Sequence, residues 1–275
     1  MKPKEAEIVH KIHFINNSFT DVFLHFCLTC PVTYILTRSP SAVFYFSVVT
    51  VAVILFNPFR TNKSKDTFEG NWLNWFEVSK LIGGLGGVIV IHLLRIQYLL
   101  PETGQIVVAV FLALNILEAV VQDAFSGWYH YPNAFIGLLL LIQIPFSSIH
   151  LNSVIDGVFL FPLSPWWITF YTFWNATFSY GFNYSHTTRL ILLSPLFVSF
   201  YLLNMPDSWL SARCFSLMLN MIFRAAQISY LYSPGKCALT PLAGSSSLQH
   251  NKPLFFVLSC INLVLFFAHS LWVHY

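Results

Sequence analysis

Asn115-Ile116-Leu117-Glu118-Ala119-Val120-Val121-Gln122-Asp123 sets two carboxylates inside an otherwise apolar run, and the fold follows from deciding what surrounds such acids. The run 105–125 is long and apolar enough to cross a hydrocarbon core ~30 Å thick. A charged side chain near the middle of a bilayer costs roughly 2.5–3.5 kcal/mol on insertion scales, so Glu118 needs a partner or a wet cavity. Asn115, Glu118 and Gln122 are spaced i, i+3, i+7 and share one helical face, while Asp123 is turned aside toward the end of the helix.

Working outward, only 9% of residues are charged and 56% are hydrophobic, where a soluble domain carries roughly 25% charged residues. The expected fold is all-α, a polytopic transmembrane bundle of about eight or nine helices. The apolar runs lie near 19–37, 41–57, 75–95, 105–125, 133–151, 166–182, 189–204, 209–232 and 254–273. Residues 1–18 read as a cytoplasmic N-terminal segment and 19–275 as a single transmembrane domain. The stretches 58–74 and 233–253 are polar loops, the second of linker composition. No internal repeat of the kind many transporters carry is visible.

Lysine and arginine counts in short loops set the expected orientation. With nine spans, the N-terminal side carries Lys2, Lys4, Lys11, Arg60, Lys63, Lys65, Arg189, Lys236 and Lys252, and the opposite side little beyond Arg38, Arg95 and Arg213. This places the chain in the plasma membrane with the N-terminus cytoplasmic. The lipid bilayer is then its main partner, and a net charge of +3 calls for no nucleic acid.

Depth turns scattered polar residues into a layer. At ~1.5 Å per residue, Glu118, Asn175, Arg224 and Lys80 each fall roughly 8–12 Å from the cytoplasmic ends of their helices. The expected site is an ion pair of Glu118 with Arg224 or Lys80, hydrogen-bonded by Asn115 and Asn175, with Gln122 and Asp123 beside it. Buried networks also fix helix register, at about 0.6–2 kcal/mol per interhelical bond. The number of ionisable groups weights the functional reading, because Ser, Thr and Asn would fix register at lower desolvation cost. Trp174, Phe178 and Tyr180 surround Asn175 and either line a pocket or meet lipid.

The remaining polar features carry less. Cys27 and Cys30 form a C-x-x-C before Pro31 in an apolar segment, which reads as core packing. The histidines lack the spacing of a zinc helix, and no cofactor motif appears. Gly83-Gly84-Leu85-Gly86-Gly87 reads first as a close helix-packing face, with Gly83 and Gly87 as candidates for a homo-oligomer contact.

The motif Asn-Ile-Leu-Glu-Ala-Val-x-x-Asp at 115–123, with Gly70, Trp72 and Trp75 ahead of it and Trp174-Asn175 and Tyr180 after it, resembles an uncharacterised family of bacterial multi-pass membrane proteins known only as a domain of unknown function. The similar order of elements covers residues 70–270. The resemblance implies an all-helical bundle in which Glu118, Asp123 and Asn175 belong to a shared framework, and it brings no activity. The chain departs from that pattern at Gly181, where an Asn would follow Tyr180, and at Glu77.

Three functions fit these residues. The first is translocation of a small polar solute or ion, with Glu118 as the protonatable group and Arg224 or Lys80 as its counter-charge. The second is an intramembrane enzyme acting on a lipid or isoprenoid, with Glu118 or Asp123 as general acid. The third is a structural or assembly subunit whose polar layer or glycine face meets another membrane protein.

Overall fold

A computed structural model of the chain describes residues 27–39, 41–43, 45–46, 48–49, 75–144, 154–182, 193–231 and 252–274, with the backbone alone at 75–79, 81, 221–231 and 272–274. The expected N-terminal segment 1–18, the loop 58–74 and most of the loop 233–253 lie outside these residues. What is described is mostly helical. Helix α1 covers 27–38, and α2 contributes helical positions between 41 and 49. Then follow α3 Trp75–Arg95, α4 Pro101–Ser126 and α5 Tyr131–Ile142, a two-stranded hairpin of β1 Val154–Ile155 and β2 Val158–Phe159, and α6 Pro165–Gly181. The short α7 Ser194–Leu196 runs into a π-helical turn Phe197–Leu202, and α8 Trp209–Leu231 and α9 Lys252–His274 complete the order.

Local chemistry explains where α4 begins and ends. Pro101 occupies its first turn, where a missing N–H is harmless, with Glu102 beside the positive end of the helix. At the other end Gly127 takes φ 124°, a backbone conformation in which a Cβ would be strained. One 3-10 turn, Trp128–His130, then returns the chain into α5. This reversal lays α5 back along α4 and brings residues 130 and 133 onto the last turns of α4.

Helix α5 is shorter than the expected run 133–151. It ends at Ile142, and Gln143 and Ile144 are already non-helical. Ile144 precedes Pro145, and the residue before a proline is pushed away from the helical region. Twelve residues rise ~18 Å, too little to cross a bilayer core.

The hairpin is an exception to an all-helical chain. Asp156 and Gly157 have φ 50° and 75°, the double positive φ that a two-residue type I′ turn requires and that Asp-Gly supplies most readily. The completely buried Val158 and Phe159 plug one end of the helices. There Ser211 Oγ donates to the Phe159 carbonyl at 3.0 Å, and the Phe161 N–H donates to the Asp207 carbonyl at 2.8 Å.

Helix α6 starts with Ser164 accepting from the Trp167 N–H at 3.1 Å and with Pro165 in the first turn. Two indole N–H groups then fix it antiparallel to α5. Trp167 donates to the Leu140 carbonyl at 3.1 Å, and Trp174 to the Asn133 carbonyl at 2.9 Å. Both pairs are separated by seven residues, two helical turns, so a shift of register would break both bonds together. The core is continuous from Val88 and Ile91 on α3 through Leu112 and Ile116 on α4 to Ile136, Ile168 and Met218.

Glycines let α3 approach its neighbours closely. A Cβ on Gly86 would lie 2.5 Å from Phe111 of α4, and one on Gly87 3.1 Å from Cys214 Sγ of α8. Gly86 and Gly87 thus pack within the chain, whereas Gly83 has nothing within 4 Å of an added Cβ.

The outward surface is apolar. Ile106, Val110, Leu114 and Leu117 form an exposed stripe on α4, and Leu254, Val257, Ile261, Val264 and Leu265 another on α9. Two described helices, Pro101–Ser126 and Lys252–Leu271, are long and apolar enough to cross a membrane, and Ile82–Arg95 is a shorter apolar stretch. That is fewer than the eight or nine spans expected from hydropathy: α5 stops early, and residues around 51–57, 145–153 and 183–192 lie outside the described set.

Candidate functional site

Three polar groupings sit among these helices. The first joins α3 to α4. Lys80 Nζ lies 3.4 Å from Glu118 Oε2, the side chains being 13% and 18% exposed. The same ammonium donates to the Asn115 carbonyl at 2.8 Å and to its side-chain oxygen Oδ1. Asn115 and Glu118 meet one cation because they lie one turn apart on the same face of α4. At this burial, removing water from each ion costs several kcal/mol, and the attraction between them offsets it only when further hydrogen bonds are made. Asn115 provides two of these.

The second grouping is built on Asp123, which is completely buried. His130 Nδ1–H donates to Asp123 Oδ1 at 2.7 Å, and Asn133 Nδ2 donates to Oδ2 at 2.7 Å. The Asn133 carbonyl in turn accepts from Trp174. The His130 ring lies against Phe255 and Phe182 at centroid distances of 4.4 and 5.0 Å. The carboxylate therefore has a partner on each oxygen and an aromatic wall. His130 and Asn133 were absent from the sequence reading. The signal that could have found them is the Gly127 stop followed by Pro132, which predicts an immediate reversal onto α4.

The third grouping is a small cleft between α3, α4, α6 and α8, of about 20 Å³. That is room for one water-sized body. Its polar lining is Asn115, Tyr171 and Arg213, and its floor is the glycine stretch of α3. Arg213 is 6% exposed and stacks at 5.9 Å over the Tyr171 ring, which itself sits between Trp167, Trp174 and Trp209. Arg95 is also buried. Its Nη1 donates to the Leu36 carbonyl at 2.7 Å, tying α1 to α3, and its guanidinium lies 5.6 Å over Phe215. Both arginines thus lie among the helices, not in the loops where hydropathy places them.

The other expected site residues are distributed as follows. The carbonyl of half-buried Asn175 accepts from Ser179 Oγ, and among the described residues its side chain bonds to neither ionic group. The half-buried Gln122 offers its carbonyl to Ser126 Oγ. Trp174 and Phe178 are core residues of α6, and Tyr180 is half-buried. The side chain of Arg224 lies outside the described residues. Cys27 and Cys30 are free thiols, the first exposed and the second buried. Among the described residues no three His, Cys, Asp or Glu side chains gather where a metal ion could be held.

A scan against protein-family models finds no match for this chain, and comparisons with curated proteins and with solved structures likewise find none.

Proposed function

We propose that this chain is a multi-pass protein of the plasma membrane, its N-terminus cytoplasmic, that translocates a small ion past the Lys80–Asn115–Glu118 site. The observation that carries this reading is the position of Asn115. One residue both holds the ammonium of the ion pair and lines the cleft between four helices. Movement of an ion through the cleft would therefore be felt by the pair, and a change in the charge of Glu118 would be felt in the cleft.

The surroundings support a membrane setting. An apolar stripe over about three turns of α4 is poorly suited to water and well suited to lipid. The buried positions of Arg95 and Arg213 remove two cations from the sparse side of the loop tally, which strengthens the cytoplasmic placement of the N-terminus. A cleft for one water-sized body favours an ion over an organic solute. The resemblance to uncharacterised multi-pass bacterial proteins belongs to the same proposal.

The test is reconstitution into liposomes with a pH-sensitive dye and a panel of external ions. Wild-type protein is expected to carry pH-dependent flux above protein-free liposomes, and Glu118→Gln to lose most of it. Equal flux for the two proteins would refute the role of Glu118, and no wild-type flux across the panel would refute translocation.

A further inference from the structure

We propose that the cleft between α3, α4, α6 and α8 is a binding site for a single small monovalent anion of halide size, held by Arg213 with Tyr171 and Asn115. This names the ion class for the translocation reading and rests on that reading for its consequence, though not for binding itself.

The first support is the chemistry of the lining, which is made of donors. The side-chain oxygen of Asn115 is engaged by Lys80, which leaves its NH₂ as the group with bonds to give. Tyr171 is 1% exposed, and its hydroxyl has no hydrogen-bond partner among the described residues. Arg213 is a permanent cation, and its Nε likewise has no partner among them. Among the described residues no carboxylate lines the cleft.

Charge is the second support. Glu118 is held by Lys80 and Asp123 by His130, and neither acid lies against Arg213. Its contact with the face of Tyr171 is favourable but leaves the positive charge in place. A buried guanidinium without a counter-charge is expensive, and a bound anion would provide one.

Size narrows the class. About 20 Å³ admits one water-sized body, which suits a single small ion such as chloride. The rest of the lining, Val108, Phe111, Leu112, Leu210 and Leu217, is apolar, a setting that favours a weakly hydrated halide over a strongly hydrated anion.

The test uses the full chain in detergent, titrated with sodium chloride against sodium gluconate at constant ionic strength, with ³⁵Cl NMR line broadening and isothermal calorimetry as readouts. Wild-type protein is expected to bind chloride saturably. Arg213→Gln should abolish binding. Tyr171→Phe, which keeps the ring and its packing, should weaken it roughly 10-fold, as expected for one hydrogen bond to a charged group, and so decides the matter if Arg213→Gln fails to fold. No saturable binding by the wild type, or unchanged binding in Tyr171→Phe, would overturn the proposal. Chloride binding without any flux in liposomes would leave the anion site standing and remove the transport reading. Flux of other ions without chloride binding would do the reverse.

Discussion

At the scale of single residues, Asn133 does more than its neighbours. Its side chain satisfies Asp123 Oδ2, and its carbonyl receives the Trp174 indole. Asn133→Ala should leave a completely buried carboxylate oxygen without a partner and lower stability by roughly 2–3 kcal/mol. Thermal unfolding in detergent would measure it, and a loss under 0.5 kcal/mol, the usual size of an inconsequential change, would show that water replaces the amide. Trp174→Phe should lose roughly 2–4 kcal/mol, about 1 kcal/mol for the hydrogen bond and the rest for the cavity left by the smaller ring in the core. The sequence made Asp123 visible as an acid in an apolar run, but not its partners. Those depend on a reversal at Gly127 through a positive φ, and helical periodicity does not reach past such a break.

At the scale of elements, the helix contacts depend on where side chains are missing. A Cβ on Gly137 of α5 would lie 2.5 Å from Val120 Cγ2 and 2.9 Å from the Trp174 ring, and that ring is held by its bond to Asn133. Gly137→Ala should therefore cost about 1–3 kcal/mol by overpacking, outweighing the roughly 1 kcal/mol that alanine gains in a helix. Gly83→Ala meets nothing and should be neutral or slightly stabilising. The same unfolding measurement compares them, and equal effects at the two sites would contradict the described packing of α5. Helices α3, α4, α6, α8 and α9 lie close to the runs that hydropathy outlined, because long apolar segments leave little freedom. The hairpin was missed although Val154-Ile155-Asp156-Gly157-Val158-Phe159 carries the Asp-Gly signal, since it lies immediately after an apolar run that was read as one helix to 151.

At the scale of the whole molecule, depth along the helices puts Lys80 and Glu118 at one level, and the i, i+3 spacing puts Asn115 on the same face as Glu118. What depth cannot give is azimuth around the helix axes. That is why the sequence left Lys80 and Arg224 as equal partners for Glu118, included Asn175 in the same layer, and assigned Arg95 and Arg213 to loops. The role proposed for the Lys80–Glu118 pair is ion movement, beyond fixing α3 against α4. Stability and flux separate these two roles in a double-mutant cycle. Lys80→Met alone leaves a buried carboxylate without its cation and should cost roughly 3 kcal/mol, whereas replacing both charges at once should recover most of that loss. The decisive measurement is pH-driven flux in liposomes by the doubly substituted Lys80→Met, Glu118→Gln protein at matched reconstitution. The account predicts a stable protein with flux no higher than in protein-free liposomes; wild-type flux from that stable double variant would contradict it.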